Sequence, residues 1–185
     1  MINVNDFKTG MTIEFDNNIF QVIEFLHVKP GKGPAFVRTK LKNLRTGANI
    51  DHTFNAGIKV GKANIEKKEM QYLYSLNDIY YFMDTNTYEQ IEVSKEKLED
   101  EYDLLTENLN VELIFFNNEM LGINLPDKIE MKIASSDPAV RGNTSSSALK
   151  DAITETGLRI KVPLFIEENE IIIVSSKDKK YSSRK

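Results

Sequence analysis

Apolar side chains recur with a period of two along almost the whole chain, and this alternation decides the fold class. In "AFVRTKL", Ala35, Val37, Thr39 and Leu41 fall on one side and Phe36, Arg38 and Lys40 on the other, with Lys42 continuing the second row. Neighbouring side chains of a β-strand point to opposite faces, so a strand with one face on a core reads this way. "MTIEF" repeats the pattern with Met11, Ile13 and Phe15, "DNN" turns, and "IFQVIEFLHV" runs back. The chain is therefore expected to be all-β, and its turn residues cut it into short strands.

Three consecutive units follow from the spacing of strands and turns. Residues 1–64 make a small barrel-like unit: after the strands above come the turn "TGA", the strand "NIDHTF" and a glycine-rich exit, "NAGIKVGKA". Residues 65–126 carry "MQYLYS", "DIYYFMD" and "YEQIEV", turning at "LND" and "TNT". A helix is predicted next, with Ser94 as its N-cap and Leu98, Tyr102 and Leu105 at helical spacing in "KEKLEDEYDLL". "VELIFF", "NNE" and "MLGINL" complete a set compatible with an OB-type barrel. Residues 127–185 open on the alternating "DKIEMKIA" and pass through a polar stretch at 135–157, read as a long loop. They resume with "LRIKVPLFI", "EEN" and "EIIIVSS".

Charge is unevenly distributed among these units. The first has nine Lys+Arg against five Asp+Glu, the second four against fourteen, and the third eleven against nine. An acidic middle between basic ends leaves the ends, not the whole surface, free to meet a polyanion. There is no cysteine, which excludes thiolate catalysis and disulfides. The only histidines, His27 and His52, lie in no ligand-spaced motif, so no metal or cofactor is expected. "GIKVGKA" has three residues between its glycines where a phosphate loop has four, and no Ser or Thr follows Lys62. No nucleophile elbow is present either, and an enzyme is not expected. The N-terminus lacks a signal-peptide pattern and no apolar run approaches about 20 residues, so a cytoplasmic protein with no membrane partner is expected.

What remains is "HVKPGKGPAF", residues 27–36, where Lys32 is bracketed by Gly31 and Gly33 and then by Pro30 and Pro34. Proline fixes φ near −65°, while glycine opens conformations closed to other residues and leaves room for close approach. These ten residues alone admit both a hairpin tip with a solvated lysine and a rigid mount that aims one. Lys29, Arg38, Lys40 and Lys42 flank the loop on one face, a spacing suited to successive phosphates of a nucleic-acid backbone and equally to a solvated strand.

Taken together, "HVKPGKGPAFVRTKLKNLRTG", "SSDPAVRGNTSSSALKDAITETGLRIKVPLFI" and the terminal "KKYSSRK" resemble the bacterial elongation factor P family over the whole chain. Within the second stretch Lys150, Ala152, Gly157, Val162, Pro163 and Ile166 follow the family signature. The resemblance implies an SH3-like or KOW-like barrel at 1–64 and OB-type barrels at 65–126 and 127–185, in an elongated, tRNA-like shape. It implies a monomer that binds both subunits of the ribosome between the peptidyl and exit sites, touching peptidyl-tRNA and ribosomal RNA. Peptide-bond formation stalled at consecutive prolines is then stimulated by positioning the peptidyl-tRNA. Lys32 becomes the working residue, lengthened in many members by a modifying enzyme, whereas the "PGKGP" setting resembles a subgroup that works unmodified. Arg141, Gly142, Asn143 and Thr144 resemble the family's contact near the exit-site codon, and Tyr181 and Arg184 its tail. Three positions depart from the pattern: Asn169 stands where glycine is usual, Asn143 where Asp is usual, and Ser182 where a bulkier apolar residue is usual. The alternative is a general single-stranded RNA-binding OB-fold protein. It would need exposed aromatic platforms, yet Tyr72, Tyr74, Tyr80, Tyr81 and Tyr88 lie in the most acidic segment.

Overall fold

A computed structural model describes residues 1–139 and 148–185. The fold is all-β, with three separate sheets. The first contains β1 (Ile2–Asn3), β2 (Thr12–Phe15), β3 (Asn18–Val28), β4 (Phe36–Asn43), β5 (Asn49–Asn55) and β6 (Lys59–Lys62), in the order β1-β6-β2-β3-β4-β5. The second contains β7 (Glu66–Leu76), β8 (Ile79–Asp84), β9 (Gln90–Ser94), β10 (Asn110–Phe116) and β11 (Glu119–Asn124), in the order β11-β10-β7-β8-β9. The third contains β12 (Lys128–Ser136), β13 (Leu149–Thr154), β14 (Arg159–Pro163), β15 (Ile171–Ser175) and β16 (Lys180–Arg184), in the order β14-β13-β12-β15-β16. Its outer strands β14 and β16 approach each other, so this sheet curls on itself.

The turns show why the chain folds this way. Asp16–Asn17, Asn77–Asp78 and Asn117–Asn118 each place two consecutive residues at positive φ between antiparallel strands. Two-residue hairpins of this kind match the twist of their strands and favour Asn and Asp, which tolerate the left-handed region. Inward rows then bury Val4, Phe7, Ile13, Phe20, Val22, Val37, Leu41, Phe54 and Val60 in the first core. Ile129, Met131, Ile133, Ile160, Val162, Ile166, Ile172 and Val174 form the third sheet's core, joined by Leu104. The chain packs into two compact units, Met1–Lys67 with Ile114–Gly122 and Lys68–Leu113 with Ile123–Lys185.

The predicted helix does not form. Lys95–Leu98 and Tyr102–Leu104 are two short 3-10 turns, and the Ser94 side chain makes no capping bond. Glu96 with Asp100 and Glu99 with Asp103 would stack like charges at i,i+4, which weakens an α-helix. The segment must also bury both Leu98 and Leu104. Six residues span about 600° on an α-helix, which would turn these two leucines to different faces.

A strand the sequence hid is β13, inside the stretch read as a loop. Its inward row is Lys150, Ala152 and Thr154, while Leu149 and Ile153 face out. The alternation is present with its polarity reversed. β16, in the tail, was likewise masked by "YSSR". Asn169 adopts φ +67° and its N–H donates to the Ile133 carbonyl at 2.8 Å, so the turn where glycine is usual keeps a left-handed residue. Asn169→Val is expected to lower stability by about 1–2 kcal/mol, the cost of a Cβ-branched residue in that region, read from the midpoint of urea unfolding. Asn169→Gly is expected to be neutral or mildly stabilising.

Candidate nucleic-acid interface

The lysine loop is the seven-residue link 29–35 between β3 and β4, closed by the pairs His27↔Val37 and Val28↔Phe36. Every residue from Lys29 to Pro34 is exposed. Gly33 sits at φ +105°, a conformation that L side chains rarely adopt, whereas Gly31 has no positive φ. Among the described residues, and apart from each glycine's own chain neighbours, no atom lies within 4 Å of where a Cβ would stand on either glycine. Lys32 therefore stands on an exposed tip where Gly33 serves the backbone and Gly31 is required by nothing inside the fold. At the foot of the loop the exposed His27 meets the Phe25 ring edge-on at 5.5 Å.

The strand leaving the loop carries the expected row. Val37, Thr39, Leu41 and Asn43 point inward and Arg38, Lys40 and Lys42 outward. Thr39 is held by a 2.6 Å bond from its hydroxyl to the His52 carbonyl, which keeps the buried hydroxyl satisfied and the register fixed. The flanking strands make the three outward cations unequal. Arg38 lies in register with Leu26 and Thr53, Lys40 with Glu24 and Asp51, and Lys42 with Gln21 and Asn49. Directly opposed side chains share a face a few ångströms apart, so Lys40 sits between two carboxylates and Arg38 between two neutral groups. Leu26 is 58% exposed beside Arg38. Phe36, between Val28 and Asn55 on the same face, is half-buried against the sheet.

The other predicted contact residues are differently placed. Arg141, Gly142, Asn143 and Thr144 lie outside the described residues. Tyr181 is half-buried against the third core. Arg184 donates to Glu170 and stands 6.0 Å over the Phe165 ring, so internal partners already hold its charge. Tyr72 and Tyr80 are core residues, and burial pushes both phenols up. Tyr74 and Tyr81 stack at 4.6 Å on the outer face of the second sheet, with Glu92 in register beside Tyr81. A polyanion seeking an aromatic platform meets a carboxylate there. Sequence reasoning passed over Arg45, whose partners lie 28 and 74 residues away.

Three family models cover nearly all of the chain: the elongation factor P KOW-like domain at residues 3–60, the elongation factor P OB domain at 65–123, and the elongation factor P C-terminal domain at 129–184. An elongation factor P of Phytoplasma australiense is 59% identical over 185 residues, spanning 100% of this chain and 98% of the relative. The chain belongs to the elongation factor P family. Membership makes it a translation elongation factor. The elongation factor P of Moorella thermoacetica, 50% identical over 184 residues, covers 100% of both chains. Among solved structures, a translation initiation factor 5A from Methanococcus jannaschii superposes with a TM-score of 0.55 at 23% identity, over 67% of this chain and 93% of that one. A factor of the same initiation-factor family from Naegleria fowleri gives 0.53 at 14% identity, over 67% and 96%. At such identities the two structures speak for the fold alone, and that fold agrees with the KOW-like and OB assignment.

Proposed function

We propose that this factor binds the ribosome between the peptidyl and exit sites and restores peptide-bond formation at consecutive prolines by positioning peptidyl-tRNA. In this reading residues 1–64, 65–126 and 127–185 act as three domains of a cytoplasmic monomer, and Lys32 is the working residue, supported by Pro30, Gly31, Gly33 and Pro34. The carrying observation is the loop: one exposed lysine on a narrow tip, with both glycines open to space. The ribosome performs the chemistry, and the factor supplies orientation. Holding reacting groups in line is worth several kcal/mol of barrier when complete, enough for a large rate effect without any catalytic group on the factor. The decisive assay is the extension of a dipeptide into polyproline on purified ribosomes, with and without the protein.

Lys29, Arg38, Lys40 and Lys42 are proposed to meet tRNA or ribosomal RNA phosphates, and Arg141, Gly142, Asn143, Thr144, Tyr181 and Arg184 to contact RNA from the third domain. The register ranks the first group. Arg38→Ala is expected to weaken ribosome binding and to reduce the slope of log affinity against log salt by about 1. Lys40→Ala is expected to do less, because Glu24 and Asp51 already offset its charge. Equal, unchanged affinity of both variants at every salt concentration would make this a solvated strand face.

A further inference from the structure

Among the described residues, Lys150 is the one buried charged side chain, 9% exposed. It opens the inward row of β13, ahead of Ala152 and Thr154, and lies in register with the fully buried Val162 of β14. Its ammonium makes a single polar contact among the described residues, donating to the Ser136 hydroxyl at a long 3.4 Å. No carboxylate of those residues pairs with it. Asp151 is taken by Lys161 at 2.6 Å, Glu170 by Arg184 and Glu130 by Lys185. Asp137, next to Ser136, is exposed, and its backbone N–H donates to the Asp151 carbonyl at 2.9 Å. Residues 140–147 contribute Arg141 and no acidic residue.

A lysine is seldom buried without a counter-charge, because withdrawing an ammonium from water costs more than one hydroxyl offsets. The core around it asks for no cation: its buried members are apolar, and the Thr154 hydroxyl is already bonded to Thr156 at 2.9 Å. The position of Ser136 explains how the charge is tolerated. Ser136 is the half-buried last residue of β12, between the exposed Ser135 and Asp137. The hydroxyl that holds the ammonium therefore stands at the rim of the curled sheet. The aliphatic stem of Lys150 runs along the core and its charged head emerges at that rim. A stem clamped by packing has already lost the rotamer freedom that an exposed lysine loses on binding. The head keeps two of its three donors for a ligand.

We propose that Lys150, with the Ser136 hydroxyl beside it, is an anion site that takes one phosphate of an RNA backbone. This rests on the reading that the third domain meets RNA on the ribosome. A phosphodiester carries two charged oxygens, which can accept from the ammonium and from the serine hydroxyl together. The surrounding segment, 127–185, has eleven Lys+Arg against nine Asp+Glu. With Asp137 exposed at the same rim, the site suits a single phosphate and not a broad polyanion surface. It differs in kind from the outward cations of β4, whose side chains are free to move in water.

The test measures the affinity of the full chain for purified ribosomes carrying peptidyl-tRNA, across a salt series. Lys150→Met keeps the length and packing of the stem while removing the charge, and Lys150→Gln removes it with a polar end should the methionine variant fold poorly. Lys161→Met is the comparator: an exposed lysine on the neighbouring strand, already paired with Asp151. Both Lys150 variants are expected to bind more weakly and to lower the slope of log affinity against log salt by about 1. The advantage of the parent protein then shrinks about fourfold between about 50 and 200 mM salt. The thermal melt of Lys150→Met should match or exceed the parent's, since a buried charge gives way to an apolar group of similar length. Lys161→Met is expected to keep the parent's slope. Unchanged affinity of both Lys150 variants at every salt concentration would overturn the inference and leave a lysine that only reaches for solvent. So would a weakening with no change in slope, a loss that follows a lower melting temperature, or an equal loss of slope in Lys161→Met. Failure of the parent protein itself to bind ribosomes would instead bring down the proposed function, so the two failures are distinguishable.

Discussion

Lys32→Ala is expected to return polyproline extension to its rate without the factor, while the fold and most of the ribosome affinity persist. Exposed loop substitutions away from any cap or core usually move stability by no more than about 0.5 kcal/mol, and Lys32 stands on a fully exposed tip. Affinity should survive because the outward cations of β4 and the barrel surfaces are untouched. What is lost is a single positive group at the end of a stiff arm, and orientation effects are steep: a small misplacement of a reacting end costs orders of magnitude in rate. The measurement is the extension rate on purified ribosomes carrying a consecutive-proline message, beside a message without prolines, where no difference is expected. If the alanine variant rescues like the parent protein, the loop is a solvated hairpin tip and the positioning account fails.

How much of this was legible in the sequence depended on which physical rule governed each segment. Strands whose buried row is apolar were plain, as in β4, where Val37, Thr39 and Leu41 face in. The turns were plain too, because Asp16–Asn17 and Asn117–Asn118 use the residues that a two-residue hairpin requires. β13 was missed because its buried row is Lys150, Ala152 and Thr154, which carry little hydrophobic signal. The helix at 94–105 was wrongly expected because apolar spacing was weighed without the stacked carboxylates. At the site, the alternation gave the outward cations correctly. It could not show that Glu24 flanks Lys40, since a bulge between Val22 and Glu24 shifts the β3 register. The Arg45 contacts were invisible for a similar reason: no local pattern announces a partner 74 residues away.

The two loop glycines allow a sharper experiment than the lysine itself. Both Gly31→Val and Gly33→Val are expected to abolish rescue, by different routes. At Gly33, φ is +105°, so valine forces the tip into another conformation and re-aims Lys32. At Gly31 the backbone asks for nothing unusual, and among the described residues nothing beyond its chain neighbours comes within 4 Å of a new Cβ. A valine there costs the isolated protein almost nothing, and its thermal melt should match the parent within error. Any loss of rescue by Gly31→Val must therefore arise from what surrounds the loop when it works, a cleft too narrow for one extra side chain. Gly31→Ala, with a single methyl, should fall between glycine and valine. Pro34→Ser should cost less than either valine, because it removes stiffness without adding bulk near the tip. Full rescue by Gly31→Val would mean that the loop meets no narrow cleft. The glycine at that position would then be explained by nothing in the fold or in the proposed function.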